Sequence, residues 1–235
     1  MSSRKPFRFL LTNDDGLDAP GLAALEAALP NGSESIVVAP SEECSACSHQ
    51  VTTHRTIRLD RFDDRRLAVD SMPADCVRVA VHDFRDSFDW VLAGINHGAN
   101  LGADVYYSGT VAAVREAALH GIPSVALSHL RDRVLSVADW ERAAGWASDL
   151  LPSLLERELE PGEFWNVNFP SLPTGPAEPP WIFCEVDTNP LQLLYDIDGD
   201  RYLYAGIYGQ RARNAGTDVD VCFQGCISIS RLRLP

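Results

Sequence analysis

The stretch Phe7-Arg8-Phe9-Leu10-Leu11-Thr12-Asn13-Asp14-Asp15-Gly16 constrains this chain most. Its apolar run is too short for a helix and stops on two adjacent carboxylates and a glycine. That is the pattern of a buried parallel strand emptying into a site. Open α/β sheets bind ligands beyond the carboxyl ends of their strands. Adjacent carboxylates repel each other unless a cation or a shared proton holds them. The same residues also suit a plain turn followed by a helix cap, and the stretch alone leaves both readings open.

The rest of the chain continues the alternation. Asp18-Ala19-Pro20 reads as a helix start, with Leu22, Leu25 and Leu29 on one face, and residues 35–40 form a second buried strand. Strand, helix, strand is the parallel unit. Residues 41–58 are polar and irregular, follow a strand end directly, and contain Ser45, Ser48, His49, His54 and Arg55. Loops placed so by a rigid scaffold often carry function, although loop histidines read first as hydrogen-bonding groups. A short strand is expected at 67–70, a helix from Pro73, and a strand at 88–94 that runs into the Gly- and Asn-rich loop 95–102.

Tyr107-Ser108-Gly109-Thr110 precedes an alanine-rich helix at 111–120. Small hydroxyl residues and a glycine before a helix make an anion site, because free N–H groups and the helix dipole face the ligand. An ordinary Ser/Thr cap is the alternative, and the P-loop pattern is absent. A strand at 124–128 and a helix at 137–158 follow, with Pro152 expected to kink or break the helix. Residues 164–170 read as the last strand of the main sheet, and 171–180 are Pro-rich. Segments 181–186 and 201–208 alternate and read as an antiparallel hairpin arm, whose unpaired edges suit pairing with another subunit. Gly216-Thr217-Asp218 precedes a final strand at 225–229.

Charge narrows the partners. With 33 acidic and 20 basic residues the formal net charge is -13, which argues against a nucleic-acid polymer or an anionic membrane as partner. A small anion held by backbone amides and a metal stays open. Residues 1–5 are basic, but the apolar run after them is only a strand long, unlike a signal peptide. No apolar run reaches membrane-spanning length, so a cytoplasmic protein is expected. Cys44, Cys47, Cys76, Cys184, Cys222 and Cys226 then read as reduced thiols. Cys44-x-x-Cys47 resembles half a zinc knuckle, without a second pair to complete it.

Asp14-Asp15, the Ser45 loop and the Asn96 loop bring hard oxygen donors to three strand ends. Such donors suit Mg²⁺, Mn²⁺ or Ca²⁺ better than zinc. A hard cation beside an anion nest fits phosphoryl chemistry, in which the metal polarises a phosphoryl oxygen and activates water.

These residues fall into a pattern. Thr12-Asn13-Asp14-Asp15-Gly16 with Ala19-Pro20-Gly21 resembles the opening of the survival protein E (SurE) nucleotidases. Val38-Ala39-Pro40, Pro73-Ala74-Asp75-Cys76-Val77, Ala93-Gly94-Ile95-Asn96 and Gly98-Ala99-Asn100-Leu101-Gly102 match in family order. So do Tyr107-Ser108-Gly109-Thr110-Val111, Asn166-Val167-Asn168 and Gly216-Thr217-Asp218. The resemblance implies an α/β fold: a Rossmann-like, mostly parallel sheet with helices on both faces and a swapped C-terminal antiparallel hairpin arm. It divides the chain into a catalytic domain, 1–170, and an oligomerisation region, 171–235, packing back on the core. It implies homodimers or homotetramers, and metal-dependent hydrolysis of 5′- and 3′-nucleoside monophosphates and sometimes short polyphosphate. One Mg²⁺ or Mn²⁺ per subunit (Ca²⁺ being admissible in a crystal) falls to Asp14, Asp15, Ser45 and Asn96. Phosphate contacts fall to Ser108, Gly109 and Thr110, with Asn13 and Asn100 nearby.

On this reading Asp14 and Asp15 are the catalytic residues. Water attacks phosphorus in line and an Asp of the pair takes its proton; direct attack by an Asp carboxylate is the alternative. The chain departs from the family pattern at Ala46 and Cys47, where glycine and another small residue are usual. It departs also at Asp70-Ser71-Met72, at His97, and around Gly199-Asp200-Arg201. A regulatory module that binds metal or nucleotide without turnover is the rival from another class, and hydrolysis of a different phosphoester is a second. His49, His54 and His97 read as loop residues rather than acid catalysts. Tyr106 and Tyr107 read as packing residues rather than base-stacking ones.

Overall fold

The computed structural model describes residues 6–173 and 178–234. The basic segment 1–5 and positions 174–177 of the Pro-rich stretch lie outside the described residues.

The chain opens with β1 (Arg8–Thr12), α1 (Pro20–Ala27) and β2 (Glu34–Pro40). Pro20 at the first helical position has the φ a helix needs and no N–H to leave unpaired. Gly21 is required where α1 crosses the sheet: a β-carbon there would lie 1.8 Å from the Ile95 carbonyl oxygen. A short pair, β3 (Leu59–Arg61) and β4 (Arg66–Val69), precedes α2 (Pro73–Phe84). Then come β5 (Trp90–His97), α3 (Gly109–Leu119), β6 (Ser124–His129), α4 (Val137–Leu155) and β7 (Glu163–Phe169). Ser136 and Asp139 form a capping box at the start of α4. Contrary to the sequence expectation, α4 runs through Pro152 and ends three residues later. Buried Leu150, Leu151, Leu154 and Leu155 hold that last turn against the core.

The six strands β4-β2-β1-β5-β6-β7 are parallel neighbours in that order. The order reverses between β1 and β5, which is the switch point where ligands of such sheets bind. Side chains alternate across the sheet. Phe9 and Leu11 join Leu22, Leu25, Trp140 and Leu150 on the α1/α4 face, while Leu10 joins Val38, Val77, Val91 and Val114 on the α2/α3 face. Burial on both faces explains the unbroken apolar runs of β1, β2 and β5.

The C-terminal part differs from the sequence reading in its pairing. β8 (Trp181–Phe183) joins the main sheet, lying parallel to β11 (Ile227–Arg233), and β11 pairs antiparallel with β7. Residues 164–170 are therefore not the last strand of a sheet of nine. The hairpin consists of β9 (Tyr195–Asp198) and β10 (Arg201–Tyr204), turned by Gly199 at φ +62°. Period-two alternation marks a strand without naming its partner, so the pattern alone does not separate β8 from the hairpin strands. The short helix α5 (Asp218–Phe223) links the hairpin's return to β11. Among the described residues no helix is long and apolar enough to cross a membrane.

Candidate active site

Three strand ends meet at the switch point. β1 delivers Asp14 and Asp15. The loop after β2 closes over them, the Cys44 amide donating to the Asp14 carbonyl oxygen at 2.7 Å. The end of β5 approaches from the other side, the His97 amide donating to Asp15 Oδ2 at 3.0 Å. Asn96, one residue earlier, donates its Nδ2 to the Gly98 carbonyl at 2.7 Å, so that its Oδ1 is the acceptor end of the amide. The loop that carries Ser45 and the strand end that carries Asn96 thus both border the Asp14-Asp15 pair through their neighbours Cys44 and His97.

The start of α3 completes the arrangement. The Thr110 hydroxyl donates to Asp14 Oδ1. Gly109 has no side chain because Asp14 fills the space: an added β-carbon would lie 2.9 Å from Asp14 Oδ2 and 2.8 Å from Cys47 Sγ. Ser108 caps the helix, its Oγ accepting from the Val111 amide at 3.0 Å. Ser108 is thus a cap, and the start of α3 lies against Asp14.

Two other candidates hold different positions. Asn13 donates to the Gly16 carbonyl at 2.7 Å and keeps a buried Oδ1 with no partner among the described residues. Asn100 is buried in a polar knot below the site, its Nδ2 on Ser128 Oγ at 2.8 Å and its amide on Asn168 Oδ1 at 2.7 Å. Its side chain supports the loop from beneath.

Burial dominates the electrostatics. It pushes the Asp14 carboxyl up to about 7, helped by the Asp15 charge and opposed by the Thr110 hydrogen bond. Asp15 is also raised by burial, while the His97 amide and Arg131 pull it down. Burial and the Asp14 charge push the Cys47 thiol up to about 11. Burial disfavours the charged forms of these two adjacent carboxylates, and the pull of Arg131 on Asp15 does not outweigh it. Among the described residues no three His, Cys, Asp or Glu side chains form a metal-holding cluster, so the donors at the switch point are two carboxylates supplemented by amide and hydroxyl oxygens. That set, with Asn13 Oδ1 orphaned beside it, fits a hard divalent cation.

Several residues escaped sequence reasoning. Glu43 accepts the Ser45 hydroxyl proton and raises Asp15 through its charge. Asp75, fully buried, binds the loop to α2: both its oxygens accept from the Thr52 amide at 3.0 Å, and Ser71 donates to it at 2.6 Å. Glu116, inside α3, holds His49 at 2.8 Å and Arg78 at 3.1 Å. His49 is thus an anchor. His97 offers its amide to Asp15 and lays its ring against Trp140 at 5.8 Å. Tyr106 and Tyr107 are 69% and 52% exposed, since Val105 takes the buried position of that turn; the packing role expected of them is not observed.

Comparison with known proteins adds independent findings. The family model described as "Survival protein SurE" matches residues 9–187. The protein named "Putative 5'-nucleotidase alr3139" from Nostoc sp. is 52% identical over 225 residues, 96% of this chain and 99% of its own. "5'-nucleotidase SurE" from Citrifermentans bemidjiense is 37% identical over 97% of this chain and 93% of its own. The crystal structure of the SurE protein from Aquifex aeolicus superposes with a TM-score of 0.84 at 32% identity, covering 97% of this chain and 94% of that one.

Proposed function

The chain belongs to the SurE family, and on that premise we infer that it is a 5′-nucleotidase, a hydrolase that releases phosphate from nucleoside monophosphates. One observation carries the reading: Asp14 packs against Gly109 and Thr110, so the carboxylate pair and the amide end of α3 face a common space. A phosphate there meets the positive end of a helix dipole. It also needs a cation between itself and the carboxylates.

Asp14, Asp15, Asn96 and Ser45 would hold that cation, Mg²⁺ or Mn²⁺ by their hard oxygen chemistry. When bound, it supplies charge neutralisation and Lewis-acid polarisation of the phosphoryl group. The chain's own residues do the rest. The Gly109 amide and the positive end of α3 would orient the phosphoryl oxygens. Thr110 fixes the Asp14 rotamer. Asp15, held by the His97 amide, would accept a proton from attacking water. Recognition centred on phosphate supports extension to 3′-nucleotides and short polyphosphate. The exposed apolar hairpin, with Leu203 70% and Ile197 62% accessible, supports a homodimer or homotetramer built through the arm.

Phosphate release from a panel of 5′- and 3′-mononucleotides and tripolyphosphate, with Mg²⁺, Mn²⁺ or EDTA, tests the reading. Metal-dependent release from 5′-mononucleotides is expected, and EDTA stops it. Binding of nucleotides without release by folded protein would favour a regulatory module instead.

A further inference from the structure

The segment that returns from the hairpin carries a buried cation that serves no core. Arg211 donates Nη1 to Asp104 Oδ2 at 2.6 Å and Nη2 to the Leu101 carbonyl at 3.1 Å. Its guanidinium lies 4.9 Å from the centre of the Tyr208 ring, and the Tyr208 hydroxyl donates to the same Asp104 oxygen at 2.7 Å. The Leu101 amide reaches that oxygen too, at 3.2 Å. Asp104 belongs to the turn that leads into α3. Its carbonyl accepts from the Tyr107 amide at 2.9 Å and from the Ser108 amide at 3.0 Å. Ser108 in turn begins α3, whose next two residues touch Asp14. A continuous chain of hydrogen bonds therefore runs from Arg211 through Asp104 to the amide end of α3.

The surroundings hold this chain rigid. Asp218 accepts from the Gly102 amide and from the Asp187 amide, both at 2.8 Å. Asp187 joins the two roots of the hairpin by accepting from the Asn214 amide at 2.6 Å and the Thr217 hydroxyl at 2.7 Å. A charged bond from a buried guanidinium to a half-buried carboxylate is among the stronger polar contacts a protein makes. Here it is directed at a turn of the site loop instead of at the sheet.

We propose that Arg211 is a positioning residue for the phosphate loop: by clamping Asp104 it fixes where the Ser108, Gly109 and Thr110 amides point. The proposal rests on the nucleotidase reading for its kinetic consequence, though not for its structural one. Arg211→Ala lets the turn fluctuate. KM for a 5′-mononucleotide then rises about tenfold, the effect of losing roughly one charge-assisted hydrogen bond's worth of order, while kcat changes less. Arg211→Lys recovers part of the loss, because an ammonium reaches Asp104 but lacks the fork to Leu101. In the double variant with Asp104→Asn the two effects fail to add.

Two measurements on the full chain decide it: steady-state kinetics, and amide hydrogen exchange at Tyr107 and Ser108. Exchange there should accelerate in Arg211→Ala, with β1 and β5 unchanged and Arg211→Lys intermediate. Unaltered exchange at both amides overturns the proposal. Faster exchange with an unchanged KM also overturns it, since Arg211 would then be a structural tie only. If Arg211→Ala does not fold, Tyr208→Phe, which removes a single hydroxyl from a partly exposed side chain, is read by the same two measurements. Should the unmodified protein hydrolyse no mononucleotide, the nucleotidase reading fails, and the exchange data alone judge the clamp.

Discussion

Asp14 and Gly109 occupy one another's space: the Asp14 Oδ2 stands 2.9 Å from where a β-carbon on Gly109 would be. The carboxylate is therefore seated on the first residue of α3, and no other residue type leaves room for it. Gly109→Ala must push Asp14 or Cys47 away. Overpacking of this kind costs about 1–3 kcal/mol, and a displacement near 1 Å at a reacting group costs about a hundredfold in rate. We expect kcat/KM to fall by at least that factor with a modest loss of Tm. A Gly109→Ala enzyme with normal kcat/KM would show that Asp14 is not held where it acts.

The buried charge on Asp14 has opposite effects on stability and on catalysis. Desolvation of an ionised carboxylate opposes folding, yet on the proposed reading the same group helps hold the cation. Asp14→Asn keeps the shape and the Oδ1 that accepts from Thr110, and removes the charge. In EDTA its Tm should equal or exceed that of the unmodified protein. In Mg²⁺ or Mn²⁺ its kcat/KM should fall about a thousandfold, several kcal/mol being what a well-held metal contributes to phosphoryl transfer. Retention of full activity in this variant would remove Asp14 from the site.

Much of this site was legible in the sequence because its parts sit where two periodicities stop. The apolar run of β1 ends at Asp14-Asp15, and α3 begins at Gly109, so strand ends and a helix start marked it out. Ser45 and Asn96 lay in loops following predicted strands. The supporting charges were not legible. Asp75 and Glu116 occur inside helical patterns where a carboxylate usually faces water, and only tertiary packing buries them against Thr52, His49 and Arg78. Arg211 and Asp104 are 107 residues apart, a pairing no local pattern encodes. The strand at Trp181–Phe183 was visible as a strand, but its partner β11 is set by long-range closure of the sheet.

Ala46 stands at φ +54°, in the left-handed region that favours glycine. A residue with a β-carbon bears about 1–2 kcal/mol of strain there. Glycine would relieve it while giving back about 0.4–1 kcal/mol in unfolded-chain entropy. The balance favours Ala46→Gly slightly, a rise of about 1–2 °C in Tm for a chain of this size. Because the loop already has the left-handed turn, kcat/KM should stay within about twofold, a change near 0.4 kcal/mol. Calorimetry on the pair of proteins checks it, and a lower Tm in the glycine variant contradicts the strain argument.

Asp139 supplies the pH-dependent stability. Its fully buried side chain accepts from Arg133 at 2.6 and 2.7 Å, from Arg142 at 2.6 Å, and from the Ser136 amide and hydroxyl. The Arg133 bond leads the causes that hold its carboxyl far below the usual carboxylate range. A depressed folded-state pKa means the charge stabilises the fold at every pH above the unfolded value, about 3.9. That stabilisation drains away only as pH falls below this value toward the folded one. Asp139→Asn breaks the cluster and leaves Arg142, largely buried, without its carboxylate. With Arg133 partly exposed, the loss at pH 7 should be about 2–3 kcal/mol, below the full cost of breaking a buried pair. Urea unfolding at pH 7, 5 and 3.5 should show a constant gap between the two proteins at pH 7 and 5, and a narrower one at pH 3.5. A gap that widens toward acid would mean that the carboxyl titrates with its pKa raised, and would contradict the arginine clamp.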